Sequence, residues 1–372
     1  MLYTLAPQKQ LSGGYTQAAL NYIMALQSQK VNFAVRPLGN GIQWGQAPEW
    51  SRSSATYFAT TDLDQNINLV HLQPAQLCEA PIWGDATNIA LTTFETTKLP
   101  SWIVERINDL YDGIIVPSLF NKECLLHSGI TLPVLVVEHA IGEWWNTPEP
   151  TPEKDDTFVF GYIGAWNNRK NPQGVVEAYL SAFPSPTEKT ALMIKTCGDI
   201  GYNSLFRHCL KGQDRPDIWY YNEEWSEQQI HWAHSLFDCY VSAHRGEGFG
   251  LGLAQAALLG TPVVYTAYSA PCEWLGFTEG HIPISYTETR ISGMDSTQNL
   301  HFHGESTELV WAEPDQKALV TALKNASENR PNCSLSETKA LRKRFSWEKI
   351  GADLIKAIHQ ISPTHRLSLI DE

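Results

Sequence analysis

The stretch His244–Val264 reads HRGEGFGLGLAQAALLGTPVV, and the fold turns on how it is parsed. A strand-like run, Cys239–Ser242, precedes it, and another, Val263–Thr266, closes it. Between them, glycines at 246, 248, 250 and 252 lead into a helix expected from about Leu251 to Leu259, with Leu251, Ala254 and Leu258 as its apolar stripe. Gly260 and then Pro262 stop that helix, as a glycine just past a helix end and a following proline should. The loop also carries one carboxylate, Glu247, where a helix needing only a cap would take Ser, Thr, Asp or Asn. Gly248-Phe249-Gly250 lets backbone approach a ligand closely, and the free N–H groups of the helix start aim at the same spot, which attracts phosphate. A glutamate beside phosphate would be repelled by it. Glu247 is therefore expected to address hydroxyl groups, which donate well to a carboxylate.

The same rhythm of short strand and longer helix runs outward in both directions. Toward the N-terminus, strands are expected at Leu2–Ala6, Val31–Pro37, Leu69–Leu72, Ile89–Phe94, Ile114–Pro117 and Val134–Val137, with a helix over Thr16–Gln29. The segment NTPEPTPEKDDT, Asn146–Thr157, has almost nothing to bury and reads as a mobile linker. After it the rhythm restarts with strand Phe158–Ile163, helix Gly174–Phe183, strands Ala191–Lys195 and Ile218–Tyr220, and helix Glu227–Leu236. Gly276–Leu309 is polar and reads as a long irregular loop. FSWEKIGADLIKAIHQI carries apolar residues at helical spacing and either closes the second domain or crosses back to the first. The expected architecture is α/β, two doubly wound domains over residues 1–150 and 151–350, with a terminal helical segment, 351–372.

Composition removes several function classes. The chain has 372 residues, 43% hydrophobic and 18% charged, the profile of a globular protein. No apolar run approaches the roughly 18 residues that a membrane span needs, and MLYTLAPQKQ has no signal-peptide pattern. Seven scattered cysteines without a C-x-x-C pair read as reduced thiols in a cytoplasmic protein and give no zinc signature. The net charge is −13. Met1–Pro150 holds seven basic residues against thirteen acidic ones, a balance of −6, and the remainder carries −7. Both halves are acidic, which argues against nucleic acid as a partner.

In open sheets of this class, ligands sit beyond the carboxyl ends of the strands. That places Gly13 and Gly14 after the first strand, His71 at the end of the Leu69 run, Glu95 after Ile89–Phe94, Lys170 after Phe158–Ile163, and Glu247 after Cys239–Ser242. Each has a plainer reading. Gly13-Gly14 serves equally as a tight turn, Glu95 as a helix cap and His71 as a core histidine, while Arg169 adjoins Lys170 and is expected to point away from it.

HRGEGFGLGLAQAALLGTPVV resembles the donor-binding segment of retaining glycosyltransferases of family 4, which have the GT-B architecture of two Rossmann-like domains flanking an interdomain cleft. NNRKNPQGVVEAY (Asn167–Tyr179), TTFETTKLPSWIVERIN, YDGIIVPSLFN, VVEHAIG, YSAPCEW and VWAEPD are similar to further family segments, in the family's order, from Gly13 to Trp347. The resemblance implies that Glu247 contacts donor-sugar hydroxyls, and that Gly248, Phe249, Gly250 and Leu251 bring backbone N–H groups to the diphosphate. It also implies that Arg169 and Lys170 neutralise the leaving nucleoside diphosphate, with Gly13 and Gly14 approaching the donor from the other domain. His71, Glu95, His139 and His244 are candidate acceptor or sugar contacts. Two positions depart from the pattern. Gln255 replaces the second Glu that usually holds the nucleotide ribose, and Ala165 falls where many members carry Arg.

The implied activity is transfer of a sugar, expected to be a hexose, from a nucleotide sugar such as a UDP- or GDP-sugar to a hydroxyl of a glycan or lipid-linked saccharide. Configuration is retained and no metal or other cofactor is expected. The alternatives are a glycosyltransferase acting on modified nucleic-acid bases, a non-catalytic relative that binds a sugar nucleotide or a protein, and an epimerase sharing the fold. A cytoplasmic enzyme touching the inner face of a membrane at most peripherally is the expected setting.

Overall fold

A computed structural model describes residues 1–5, 13–38, 66–150, 156–186, 189–291, 309–364 and 367. Ala6 of the expected first strand, 151–155 of the expected linker and 292–308 of the expected loop lie outside the described residues. The chain divides into two compact units. One comprises Met1–Glu143 and resumes at Lys343; the other comprises Trp144–Asn299 and Thr307–Arg342.

In the first unit the elements are β1 (Leu2–Leu5), α1 (Gly14–Ser28), β2 (Ala34–Pro37), β3 (Ile67–His71), β4 (Thr87–Leu91), α2 (Ser101–Leu110), β5 (Gly113–Val116), α3 (Leu119–Ser128) and β6 (Val134–Val136). Among the described residues they form a six-stranded sheet, β2-β1-β3-β4-β5-β6, parallel throughout. β1, β3 and β5 are buried along their whole length, as strands covered by helices on both faces must be.

In the second unit they are β7 (Phe158–Ile163), α4 (Pro172–Ala182), β8 (Thr190–Thr196), α5 (Gly201–Leu210), β9 (Ile218–Asn222), α6 (Glu227–Leu236), β10 (Cys239–Ser242), α7 (Leu251–Leu258), β11 (Val263–Thr266), β12 (Ile282–Ile284), β13 (Tyr286–Arg290), β14 (Val310–Pro314), α8 (Gln316–Asn329) and α9 (Leu335–Arg344). Their main sheet runs β12-β11-β10-β7-β8-β9, again all parallel. Counted within the unit, that is the doubly wound order 3-2-1-4-5-6. Local chemistry sets the helix starts. Ser226 and Gln229 close a capping box on α6, and Pro172 occupies the first turn of α4 behind the Asn171 cap.

Two expectations need correction. Gly276–Leu309 is not all loop, because Ile282–Ile284 extends the sheet as β12, and Tyr286–Arg290 pairs antiparallel with Val310–Pro314. The stretch expected to link the domains begins as part of the second unit. Within it, the Glu149 N–H donates to Ser235 Oγ (2.9 Å) and the Glu149 carboxylate meets His231 Nδ1 at 3.4 Å, and just ahead of it Trp145 is buried with its ring 4.6 Å from that of His231.

The terminal helix, α10 (Trp347–Ile361), belongs to the first unit. Ile350, Leu354, Ala357 and Ile358 form one stripe and enter the core made by β1, α1 and β3. Gly351 permits the close packing on α1, since a Cβ there would stand 2.2 Å from the Ala25 carbonyl oxygen. Trp347 Nε1 donates to Asn21 Oδ1 (2.9 Å) across the same seam.

Candidate functional site

The order of the second sheet reverses between β7 and β10, which lie side by side although two strands separate them in sequence. Loops leaving these neighbours turn to opposite faces, and such a switch point leaves room for a ligand at the carboxyl edge. The loop after β7 carries Arg169 and Lys170; the loop after β10 carries Glu247.

Backbone and side-chain bonds hold the two loops together. The Arg245 N–H donates to the Arg169 carbonyl (2.7 Å). Asn171, in the left-handed region at φ 52°, caps α4 by accepting from the Gly174 N–H (3.1 Å) and donates through Nδ2 to the Ala243 carbonyl (3.0 Å). Arg245 also makes a two-pronged bond to Glu313 on β14 (2.6 and 2.8 Å). Nothing in the sequence singled out Asn171 or Arg245; only the pairing of distant loops reveals what they do.

At this seam Glu247 is 4% exposed. Lys170 Nζ lies 2.6 Å from its Oε1, and Arg169 Nη1 lies 3.3 Å from Oε2 while also donating to the Gly246 carbonyl (2.9 Å). This corrects the picture of an isolated carboxylate flanked by diverging cations. Arg169 and Lys170 occupy a turn, so strand or helix rules for adjacent side chains do not apply, and a buried carboxylate needs partners of this kind. Burial alone would push the Glu247 carboxyl up, but Lys170, then Arg169 and His244, outweigh it and hold it down at about 2. Two cations against one anion leave a surplus positive charge at the edge. Lys170, with 28% of its side chain exposed, is the more accessible of the pair.

Helix α7 starts beside the triad. Gly250 precedes it at φ 92° and no side chain caps it. Its Cβ, were there one, would press on Pro271 Cγ at 3.1 Å. Gly252 lets the helix run against Tyr240, whose hydroxyl would lie 2.6 Å from an added Cβ. Phe249 is buried against Trp274, ring centroids 5.9 Å apart, so its side chain anchors the loop, with Gly248 just before it and Leu251 opening α7. Ser269 holds the loop from the other side, accepting from the Glu247 N–H at 2.9 Å with its own φ at 63°. That residue lies in the YSAPCEW segment and went unread. Gln255 is half-buried on α7, and the Ala165 carbonyl accepts from the Tyr162 hydroxyl (3.0 Å). His244 is fully buried, with Nδ1 3.0 Å from Ser242 Oγ and Nε2 3.3 Å from the Tyr268 carbonyl. Burial lowers its imidazole to about 4. It is a neutral brace behind Glu247.

The remaining candidates lie in the first unit. Gly13 caps α1 at φ −65°, a conformation open to any residue, and Gly14 is its first helical residue. At the end of β3, His71 is buried with Nδ1 2.7 Å from the Tyr3 hydroxyl. Its Nε2 is buried without a hydrogen-bond partner among the described residues. His139 Nδ1 lies 3.2 Å from the Tyr22 hydroxyl and Nε2 3.5 Å from Thr93 Oγ1. Both imidazoles stand edge-on to the Tyr22 ring. Burial drives His139 down to about 3 and, with help from His139, drives His71 well below its ordinary value. Glu95 is half-buried in the loop after β4 and does not cap a helix, since α2 begins six positions later at Ser101. Among the described residues there is no group of three or more His, Cys, Asp or Glu placed to hold a metal ion, and no helix long and apolar enough to cross a membrane.

No protein-family profile and no curated protein matches the chain. Solved structures do. The chain is similar to HepE of Anabaena in complex with UDP-glucose, with a TM-score of 0.63 and 11% identity over 97% of this chain and 100% of that one. It is similar also to sucrose-phosphate synthase from Thermosynechococcus elongatus, with a TM-score of 0.64 and 12% identity over 98% and 100% of the two chains. With TarM it shares 80% of its own length at a TM-score of 0.53 and 11% identity, and spans about half, 54%, of that longer protein. Two parallel six-stranded sheets flanked by helices, matched in this way, make the fold GT-B, with two Rossmann-like units.

Proposed function

We propose that this chain is a retaining glycosyltransferase of family 4 type, moving a hexose from a UDP- or GDP-sugar to a hydroxyl of a glycan or lipid-linked saccharide. The observation that carries the reading is the triad at the switch point of the second sheet, in which Lys170 and Arg169 converge on buried Glu247 beside an uncapped, glycine-led helix start. A net positive site of this kind suits a diphosphate. Glycosyltransferase neighbours, one of them solved with UDP-glucose, support it.

In the proposed reaction the diphosphate takes up N–H donors of Lys170, Arg169 and the start of α7. Glu247 turns its freed lone pairs to the sugar hydroxyls. The acceptor oxygen bonds to the anomeric carbon on the face that the phosphate is leaving, the carbon–phosphate oxygen bond breaks, and the acceptor's proton passes to the departing phosphate. Charge grows on that phosphate, so the cations act most strongly as the bond breaks, which is where binding accelerates chemistry. No side-chain nucleophile and no metal enters the scheme. The first unit supplies the acceptor side, and the enzyme works in the cytoplasm, at most touching a membrane peripherally.

The test is a panel of nucleotide sugars followed by mass spectrometry. One donor should be hydrolysed or transferred with its anomeric configuration kept, and Glu247→Ala should lower that turnover. If no donor is consumed and Glu247→Ala changes neither binding nor turnover, the reading fails.

A further inference from the structure

The carboxyl edge of the second sheet carries a second buried cation that the triad does not use. Lys195, the penultimate residue of β8, is 3% exposed. Its Nζ donates to the Thr196 carbonyl (2.9 Å) and stands 5.2 Å from the centre of the Trp225 ring. Among the described residues it makes no ion pair and no other hydrogen bond. An ammonium has three N–H groups, so two remain to be met in a place where an unmet charge is costly. Burial lowers its pKa, opposed by Cys197, Glu223 and Glu224.

Its surroundings are specific. Register pairs Lys195 with Tyr221 on β9, so both point to one face of the sheet, and the Tyr221 and Trp225 rings lie 5.0 Å apart. The Trp225 indole N–H donates to Glu223 Oε1 (2.8 Å), which fixes both side chains. Asn222 ties the backbone on either side, accepting from the Gly198 N–H (2.9 Å) and donating to the Asp199 carbonyl (3.1 Å). The cluster is a cation at the bottom, an aromatic wall beside it and an exposed carboxylate at the rim.

Resting on the function proposed above, we infer that Lys195, Trp225 and Glu223 read the nucleobase of the donor, selecting a base whose far edge carries a carbonyl (uracil, thymine or guanine) over adenine and cytosine. Sheet order sets the distance. Glu247 leaves β10, Arg169 and Lys170 leave the neighbouring β7, Lys195 lies on β8, two strand spacings or about 10 Å from β10, and Trp225 lies in the loop after β9. A diphosphate at the triad therefore delivers its nucleoside toward Lys195. The base edge farthest from the ribose goes deepest and meets the ammonium, where adenine and cytosine would oppose an amine to a group that only donates. Trp225 offers the flat face, and Glu223 accepts from a ring N–H at the rim. A phosphate at Lys195 is disfavoured because Glu223 and Glu224 would repel it.

The experiment is calorimetry of the full chain with UDP, dTDP, GDP, CDP, ADP and inorganic pyrophosphate, repeated for Lys195→Met, Glu223→Gln and Lys170→Met. At least one of UDP, dTDP and GDP should bind tighter than CDP and ADP by about 10- to 100-fold. Lys195→Met should erase most of that preference and leave pyrophosphate binding unchanged. Glu223→Gln, an exposed change that folding tolerates, should narrow the preference in part, and Lys170→Met should weaken every ligand, pyrophosphate included. Equal binding of all five nucleotides by the wild type overturns the inference and leaves the proposed function standing. So does a Lys195→Met variant that loses pyrophosphate as well, because Lys195 would then be a phosphate ligand. If no nucleotide binds, the proposed function falls and the base-reading site falls with it.

Discussion

Each of the two parallel sheets reverses its chain order once, and the side chains gathered at the two reversals differ. In the second unit, chain order reverses between β7 and β10, and there the protein sets a buried carboxylate between two cations, Glu247 between Lys170 and Arg169. In the first unit the reversal falls between β1 and β3, and there the side chains are Tyr3, Tyr15, His71 and, one layer away, Tyr22 and His139. Burial keeps these imidazoles neutral. A reversal of chain order therefore gathers a carboxylate and two cations in one unit and neutral imidazoles and phenols in the other. Topology marks where a site can be; the cost of desolvating each side chain decides what the site can hold.

The contrast can be broken most forcefully at Glu247. Glu247→Ala should cut turnover by about 10²- to 10³-fold, the scale of one lost transition-state contact, and His71→Phe should cost far less. Steady-state rates with the active donor decide this. A His71 effect equal to that of Glu247 would mean that the buried imidazole is as engaged in chemistry as the charged triad.

Next in size is the seam that completes the first unit. Gly351→Ala places a methyl 2.2 Å from the Ala25 carbonyl, in rigid backbone. The helix must shift, costing about 1–3 kcal/mol. Thermal or urea unfolding should show that loss, with nucleotide affinity unchanged, because the triad lies in the other unit.

The pH dependence separates the edges in another way. A histidine whose folded pKa is depressed stays neutral while the unfolded chain takes up protons, so stability falls as pH drops below about 6.5 and keeps falling until the folded value is reached. For His139 that value is about 3. Between pH 7 and pH 5 it should account for about 2 kcal/mol of lost stability, and His139→Phe should flatten the curve by that amount. Glu247, held at about 2, supplies stability that is present above about 4.3 and drains away only as pH falls from there through its folded value. Urea midpoints at pH 7 and 5 for wild type and His139→Phe check the sign. A wild-type curve as flat as the variant's would show that His139 is charged in the folded protein.

How far the sequence could be read follows the same physics. Phe158–Ile163, Glu227–Leu236, Cys239–Ser242 and Val263–Thr266 have the expected bounds, because each is an apolar run or a capped helix whose ends carry local signals. β13 escaped notice since YTETR is polar and half-exposed, paired with β14 alone rather than buried in the large sheet. α5 escaped too, with only Phe206 and Cys209 buried. At the site, glycines and charges marked Glu247 and Lys170. The convergence of Arg169, the Asn171 tie and the Ser269 brace come from contacts between loops 78, 72 and 22 positions apart, which no local pattern encodes.

Gln255 offers the smallest and finest test of the charged edge. It is half-buried on α7, eight residues beyond Glu247, where the family resemblance leads one to expect a carboxylate on the nucleotide ribose. A neutral acceptor bond is worth about 0.5–1.5 kcal/mol and a charged one about 1.5–3. Gln255→Glu should therefore tighten nucleoside diphosphate binding by roughly fivefold, near 1 kcal/mol. The surplus positive charge left by Lys170 and Arg169, together with the helix start, would offset repulsion between the new carboxylate and the diphosphate. Calorimetry with a nucleoside diphosphate and with pyrophosphate separates the two influences. Gain for the nucleotide alone places the residue on the ribose, whereas equal weakening of both would put it beside the phosphates and limit the hydroxyl-facing acids of this edge to Glu247.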